Sequence, residues 1–537
     1  MCVMKTGILV ALFGIFVSSH VTQAAELAVI PMPLEVTTTE DVFVLDQGAF
    51  VHTSMSVQKE TIAALSKAAG FELALAPMDV ACAIQFLSND PIPGDLPKPE
   101  GEGYMIRIRP KTLIVHAATP EGHFYGLQTL IQMLEDAGSK EGSLSLPCGI
   151  IRDQPRFGWR GFMLDESREF TGEAGVKKLL DEMARFKLNR FHWHLTDSAG
   201  WRIEIKSYPK LTEIGSRGSE SDRRPDAPRQ FYTQDQIRSI VDYAKARHIT
   251  IIPEIDMPGH ADAAVLAYPE LGGGGYLKKG STDKWPNFTF NPAKPATLEF
   301  LDKVLGEIAE LFPDAGIIHF GGDEVHFGWK KWNELPDVKA LMEKEGFTTL
   351  AEVEAWFNRR MASRIRDLGF TVGGWDEIAA RELPTDQTLI FWWRHDKPNV
   401  LSSSLANGYP VVLCPRRPLY FDFVQHESHQ SGRRWGGFNP LEDVYQFPDS
   451  NIDPTLVVNP RIVGIQACLW TETTVTQERR DFMTFPRLLA LSEAAWTNRG
   501  KKDMASFKTR LQQELPRLTA RGIRFYDPFE NSPEVTR

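Results

Sequence analysis

Ile317-Ile318-His319-Phe320-Gly321-Gly322-Asp323-Glu324-Val325 is the stretch from which the rest of the chain can be read. Two β-branched residues lead into a His-Phe step, two glycines follow, and adjacent carboxylates come next. That order predicts a buried strand that stops abruptly and presents acids at its tip. Residues without a Cβ turn sharply and let a ligand approach the backbone. Neighbouring Cα atoms are about 3.8 Å apart, so Asp323 and Glu324 crowd two charges into one small site. Crowding of that kind raises one carboxyl's pKa and makes it a proton donor near neutrality. The plainer reading is an Asp capping a following helix with a solvated Glu beside it.

Outward from this strand the texture repeats as strand, long helix, strand. Trp159 to Leu164 and Arg190 to Leu195 read as strands, with Val176, Leu179, Leu180 and Met183 marking an amphipathic helix between them. Ile249 to Ile255 follows a helix carrying Ile237, Ile240, Val241 and Ala244, and Gly316 to Phe320 follows one carrying Phe300, Leu301, Val304, Leu305 and Ile308. Thr371 to Trp375, Leu389 to Trp392, Pro410 to Leu413 and Ile462 to Leu469 complete the set. Alternation of this kind predicts an α/β fold, a (β/α)₈ TIM barrel over 151–537. A doubly wound open sheet is the alternative, but no glycine-rich phosphate fingerprint follows any strand. Ahead of the barrel, 26–150 reads as a smaller α+β domain. Its strands are Met105 to Ile108 and Leu113 to Ala117, and its helix, Gly122 to Leu134, carries Phe124, Leu127, Leu130, Ile131 and Leu134. All thirteen tryptophans lie at Trp159 or beyond, which gives the first domain a supporting role.

Barrel enzymes place their chemistry at the C-terminal ends of the strands. The residues expected there are Arg160 with Asp165, His194 with Asp197, and Glu254 with Asp256 and His260. Asp323 with Glu324, Trp375 with Asp376 and Glu377, Trp392 and Trp393, Tyr420 with Asp422, and Trp470 with Glu472 follow. Carboxylates, tryptophans and an arginine at nearly every strand end describe a carbohydrate pocket. Ring faces stack on apolar sugar faces while charged groups fix hydroxyls.

The chain has 537 residues and a formal net charge of -10, with no basic run, so a nucleic-acid partner is not expected. Met1 to Ala25 has the form of a secretory signal: Lys5, an apolar run from Ile8 to Val17, then Thr22-Gln23-Ala24-Ala25. That run is too short to span a bilayer stably, so export to a periplasmic or extracellular space is expected; an uncleaved N-terminal anchor is the alternative. Cys82, Cys148, Cys414 and Cys468 are too sparse for a disulfide framework and have no CxxC spacing. One bridge stays possible, and the oligomeric state stays open.

Five segments together resemble the family 20 glycoside hydrolases, the β-N-acetylhexosaminidases. They are Trp159 to Asp165, His192-Trp193-His194-Leu195-Thr196-Asp197, Pro253 to His260, His319 to Val325, and Gln466 to Glu472. The adjacent Asp-Glu after His-Phe-Gly-Gly is the most specific, and the resemblance runs from about residue 30 to the C-terminus. It implies exo-acting removal of N-acetylhexosamines from glycans or chitooligosaccharides, with no cofactor and no metal. It also implies a retaining route in which the substrate's own 2-acetamido oxygen is the nucleophile, an exception to the two-carboxylate rule. By that similarity Glu324 is the general acid and then base, Asp323 orients the acetamido N–H, and Tyr420 hydrogen-bonds the acetamido carbonyl. Trp375, Trp393 and Trp470 wall the pocket, and Arg160, Asp422 and Glu472 hold sugar hydroxyls. Asp197 and His260 stand near the acid, with His260 tuning Glu324.

Ser198 departs from the family pattern, in which a second Asp follows the first. Of Trp392 and Trp393, the pattern does not say which faces the sugar. The polar, glycine-bearing loops Ser216 to Gln230, Leu271 to Tyr276 and His426 to Phe438 are where leaving-group preference is expected. A rival is a metal-dependent barrel hydrolase, because His192, His194, His260, His319 and Asp323 imitate a divalent site. A catalytically silent sugar-binding protein is another. A chitinase-type barrel would need an Asp-rich run ending in Glu on its fourth strand, and that run is absent.

Overall fold

The computed structural model describes residues 27–53, 58–77, 80–88, 98–274, 287–530 and 534–535. The expected signal segment lies outside them. The first unit is a seven-stranded sheet of β1 (Glu35–Asp46), β2 (Phe50–Thr53), β3 (Ala74–Leu75), β4 (Ile84–Leu87), β5 (Tyr104–Arg109), β6 (Thr112–Ala117) and β7 (Ser143–Asp153), in the order β1-β7-β5-β6-β4-β2-β3. Helices α1 (Gln58–Ala69) and α2 (Pro120–Ala137) pair with each other, and α2 packs on β5, β6 and β7. The start of α2 follows from its sequence. The Thr119 hydroxyl accepts from the Gly122 N–H, and Pro120, which has no N–H to leave unpaired, occupies the first turn.

The second unit is a closed barrel of eight parallel strands. They are β8 (Trp159–Asp165), β9 (Arg190–His194), β10 (Thr250–Glu254), β11 (Ile317–His319), β12 (Thr371–Trp375), β13 (Thr388–Trp392), β14 (Val411–Leu413) and β15 (Ile462–Leu469), with β15 closing on β8. Each strand falls within a residue or two of its expected position, because buried parallel strands are nearly continuous apolar runs. The surrounding helices include α3 (Gly172–Arg185), α4 (Gln234–Lys245), α5 (Pro295–Leu311) and α6 (Leu350–Asp367). Capping boxes start two of them, Thr233 with Gln236 on α4 and Thr349 with Glu352 on α6. Strict alternation fails once. Between β12 and β13 the chain makes only two 3₁₀ turns, Asp376–Ala380 and Thr385–Gln387, with Pro384 between them unable to continue a helix. The helices after the last strand include α7 (Arg487–Trp496) and α8 (Met504–Ala520).

Register places the chemistry. His194 on β9 lies beside Asp165 of β8 and Glu254 of β10, and Glu254 lies beside His319 of β11. The strand tips therefore form one continuous rim. Among the described residues no helix is long and apolar enough to cross a membrane. Cys82, Cys148, Cys414 and Cys468 are all free thiols.

Candidate active site

At the tip of β11 both glycines are obligatory. Gly321 and Gly322 have φ of 71° and 88°, and a Cβ on Gly321 would sit 1.8 Å from the Asp256 carboxylate. Only glycine accepts that backbone with a carboxylate pressed against it. Glu324 follows in the left-handed region at φ 55°. The 3₁₀ turn Val325–Phe327 begins there with no side-chain cap, so the carboxylates are not helix caps. They face a pocket of about 550 Å³ instead.

His260 joins the two acids. Its Nε2 lies 3.5 Å from Asp323 and 3.7 Å from Glu324, while its Nδ1 is 3.0 Å from Asp197. Both catalytic candidates therefore stand on one side of the pocket. Trp375, Trp393, Tyr420 and Trp470 line the same pocket. Trp393 and Tyr420 lie nearly parallel at 12°, and Trp375 and Trp470 tilt together with centroids 5.8 Å apart. Such walls fit a flat apolar group and the faces of a sugar ring.

Burial raises the Glu324 carboxyl above its ordinary range; Asp323 adds to the rise, and His260 and Arg168 oppose it. Burial and the facing Asp323 charge hold the Asp256 carboxyl well above the carboxylate range. Burial would lower the His260 imidazolium, but Asp197, Asp323 and Asp256 outweigh it and hold it well above its ordinary value. Burial would raise Asp197, yet Arg168, His260 and a hydrogen bond from His194 hold it well below. A carboxyl with a raised pKa beside fixed charges is the arrangement proton transfer to a leaving group requires.

Arg160 requires a correction. It is the second residue of β8 and faces the other end of the barrel, since five residues of strand span about 17 Å. Its guanidinium donates to Glu102 at 2.9 Å twice, to Tyr125 at 3.0 Å and to the Lys187 and Phe157 carbonyls, all within or against the N-terminal unit. Arg168, three residues past the strand end, lines the pocket instead. It pairs with Asp165 at 3.2 Å and Asp197 at 2.7 Å and lies over the Trp470 ring. The signal available for it was Asp165-Glu166-Ser167-Arg168 itself, where the strand stops and the loop turns polar.

The other expected residues divide as follows. Asp197, His260, Asp323, Glu324, Trp375, Trp393, Tyr420, Trp470 and Glu472 line the pocket. Asp422 lies behind it, fully buried, with Arg433 2.7 Å away; burial first and Glu472 second push its carboxyl up to about 7 against the pull of Arg433. Arg433 also donates to Glu472 and so bridges the two acids. Trp393 faces the cavity while Trp392, the last residue of β13, is buried, as alternation along a strand requires. The three variable loops reach the rim unequally. The first sends Glu220 and the third sends Arg433 and Trp435; the second is described only to Gly274, and Phe288 lines the pocket beyond it. Sequence reading passed over Arg168, Arg433 and Phe288 because each sits in a loop whose path only the fold defines.

The rival metal site has a partial geometry. His192, Glu254 and His319 lie close enough to share an ion, as do His194, Asp197 and Asp256, and Asp256, His260 and Asp323. Most of those ligand atoms already face each other: Glu254 accepts from His194 at 2.6 Å and from the Trp375 indole at 2.9 Å. The donor set reads as an internal hydrogen-bond hub.

Comparison with known proteins agrees with this geometry. The sequence profile of the glycosyl hydrolase family 20 catalytic domain matches residues 157–499, and that of family 20 domain 2 matches residues 26–154. A β-hexosaminidase of Porphyromonas gingivalis is 34% identical over 522 residues, 94% of this chain and 65% of its own length. One of Vibrio furnissii is 34% identical over 482 residues, 88% of this chain and 77% of its own. The crystal structure of a family 20 exo-β-N-acetylglucosaminidase from Vibrio harveyi, with N-acetylglucosamine, superposes with a TM-score of 0.82 at 32% identity, covering 94% of this chain and 79% of that one. A Streptomyces plicatus β-hexosaminidase mutant with its product N-acetylglucosamine superposes at 0.77 and 28% identity, covering 95% and 98%. With both parts of the chain matched and the acid pair, imidazole and aromatic walls assembled in one pocket, this chain belongs to glycosyl hydrolase family 20.

Proposed function

We infer that the chain is an exo-acting β-N-acetylhexosaminidase that releases terminal non-reducing N-acetylhexosamines with retention of configuration. The observation that carries the reading is the placement of Asp323 and Glu324 on one side of the pocket, both within 3.7 Å of one imidazole nitrogen. Two carboxylates so placed do not flank a sugar on opposite faces, as an enzyme nucleophile and an acid must. The nucleophile that remains is the substrate's acetamido oxygen. It attacks C1 while Glu324 protonates the departing oxygen, giving an oxazolinium. Asp323 accepts the acetamido N–H and stabilises the charge on it, and the Tyr420 hydroxyl donates to the acetamido oxygen. Glu324, now a carboxylate, takes a proton from the water that opens the ring, so C1 is inverted twice.

The N-acetylglucosamine held in the two related structures supports that sugar at this subsite. The pocket at the strand tips, with Trp375, Trp393, Tyr420 and Trp470 in its lining, supports chain ends of glycans or chitooligosaccharides over internal sites, and the pattern of Met1 to Ala25 supports export. The test is a panel of phenyl N-acetyl-β-glucosaminide, phenyl N-acetyl-β-galactosaminide and plain phenyl β-glucoside, with the first-formed anomer read by proton NMR. Turnover confined to the N-acetylated sugars with the β-anomer appearing first is the expected result. Comparable cleavage of the plain glucoside, or an α-anomer first, overturns the substrate-assisted route.

A further inference from the structure

Below the pocket the barrel interior holds a second carboxylate, which the reaction as written does not use. Glu254 ends β10 with its side chain fully buried. Its Oε2 accepts from His194 Nδ1 at 2.6 Å and faces His192 Nε2 at 2.9 Å; its Oε1 accepts from the Trp375 indole at 2.9 Å and faces His319 Nδ1 at 3.0 Å. The other nitrogen of His194 lies 2.9 Å from Asp197 Oδ2. Asp197 in turn meets His260 Nδ1 with its Oδ1 at 3.0 Å, and His260 reaches Glu324. A single file of alternating carboxylates and imidazoles therefore runs from Glu254 in the barrel core to Glu324 at the pocket.

His194 is the critical member. Both of its ring nitrogens face carboxylate oxygens, and only an imidazolium has an N–H for each. A neutral ring would point a lone pair at one of the two carboxylates and let that carboxylate turn. Burial disfavours the cation, but Glu254 and Asp197 outweigh burial and hold His194 well above its ordinary pKa. The same Glu254 carboxylate fixes Trp375, a wall of the pocket. The charged and titratable groups around this file are His192 from β9, Asp256 and Asp262 beyond β10, His319 from β11 with Asp323 past its end 3.5 Å from His260, and Arg168, whose guanidinium is 2.7 Å from Asp197.

We propose that Glu254 and His194 are positioning residues for the reaction: Glu254 holds His194 as a double donor, His194 fixes Asp197, and Asp197 thereby presents His260 to the acid while Glu254 sets the Trp375 wall. The inference rests on the activity proposed above. Its consequence is that a buried core carboxylate governs proton donation although it never touches substrate.

The test compares wild type with Glu254→Gln, Glu254→Asp and His194→Gln on phenyl and dinitrophenyl N-acetyl-β-glucosaminides across pH, with thermal melting as a folding control. Glu254→Gln should lower kcat for the phenyl substrate by about 10–100-fold and for the dinitrophenyl substrate, which needs little protonation, by far less. It should also introduce an ionisation absent from wild type. Without the Glu254 charge, burial pulls the His194 imidazolium down while Asp197 alone opposes it, so its pKa falls, and the rate with the phenyl substrate falls as pH rises through the lowered value. Glu254→Asp keeps the charge and should restore the wild-type profile shape, while His194→Gln should show the leaving-group-dependent loss without the added ionisation. Trp375→Phe removes the indole donor and part of the pocket wall, and should raise KM while leaving the profile shape unchanged. Equal losses on both substrates with an unaltered profile would mean that Glu254 only supports the fold, and would overturn the proposal. Should Glu254→Gln fail to fold, a folded His194→Gln with wild-type leaving-group dependence overturns it equally. A wild type inactive on both substrates instead sinks the activity reading itself.

Discussion

At the N-terminal end of the barrel each guanidinium nitrogen of Arg160 has a partner in Glu102, Tyr125 or a backbone carbonyl, and Lys187 is held by Asp153 at 3.0 Å. At the C-terminal end Asp256 Oδ2, Asp323 Oδ1 and Glu472 Oε2 are buried with no hydrogen-bond partner among the described residues. Both ends bury charge, but one is closed and the other open. A buried acceptor left unpaired costs about 1–3 kcal/mol, a cost native structures rarely keep without a use. The open end makes sense as a surface awaiting donors, and a sugar's hydroxyls and amide N–H are such donors. The closed end seals the barrel against the N-terminal sheet. The difference separates residues that hold the molecule together from residues that act on a ligand, although sequence presents both as the same charged residue types beside the same kind of strand.

The largest effect that separates the ends is removal of the acid. Glu324→Gln should reduce kcat on a phenyl N-acetyl-β-glucosaminide by about 10²–10⁴-fold, the range for general acid catalysis, and reduce it far less on a dinitrophenyl substrate. Melting should be nearly unchanged, because Glu324 holds no element in place. Equal losses on the two substrates would remove Glu324 from the acid role.

Exchanging the two arginines probes the comparison directly. Arg160→Ala leaves Glu102 without its partner at a buried junction, and should cost about 3–5 kcal/mol of stability, read by denaturant titration, with KM unchanged in protein that remains folded. Arg168→Ala strips the buried Asp165 and Asp197 of a partner and should cost stability on the same scale, but it should in addition weaken kcat/KM through Asp197 and Trp470. A KM change in Arg160→Ala would return that residue to the substrate.

A smaller effect is expected in the pH profile. Glu324 must be protonated to act as the acid, and burial together with Asp323 raises it above the ordinary 4.5. Activity on poor leaving groups should therefore persist above that value and fall as pH rises through the raised one. Asp197, held well below its ordinary value, stays ionised throughout. Asp323→Asn removes a neighbouring negative charge, so its falling limb should move toward acid. Movement in the opposite direction would show that Asp323 does not set the proton affinity of Glu324.

How far these assignments could be read in the sequence depended on the kind of signal. The barrel strands were legible because each is a short apolar run, and the acids at the tip of β11 because two glycines and two carboxylates are contiguous. Arg160 was misplaced because a strand's sequence does not say which of its ends a side chain serves; that requires the register that puts Asp165, not Arg160, beside His194. Most of the first sheet escaped notice for a different reason. β2, β3 and β4 are two to four residues long, and β1 is mostly exposed, so neither periodicity nor apolar content marks them. Arg168, Arg433 and Phe288 come from loops, where position is a property of the whole fold.

The smallest expected effect is none at all, and it tests whether the carboxylate and imidazoles beneath the open end form a hydrogen-bonding hub or an ion site. His192, Glu254 and His319 have the residue types and closeness a divalent cation accepts. Yet Glu254 Oε2 already accepts from His194 and Oε1 from Trp375, so an ion there would have to displace two buried hydrogen bonds. Dialysis against a strong chelator should therefore leave kcat and KM on the phenyl substrate unchanged. Loss of activity with recovery on adding zinc would make this cluster a metal centre and would replace proton donation by Glu324 with metal-activated water.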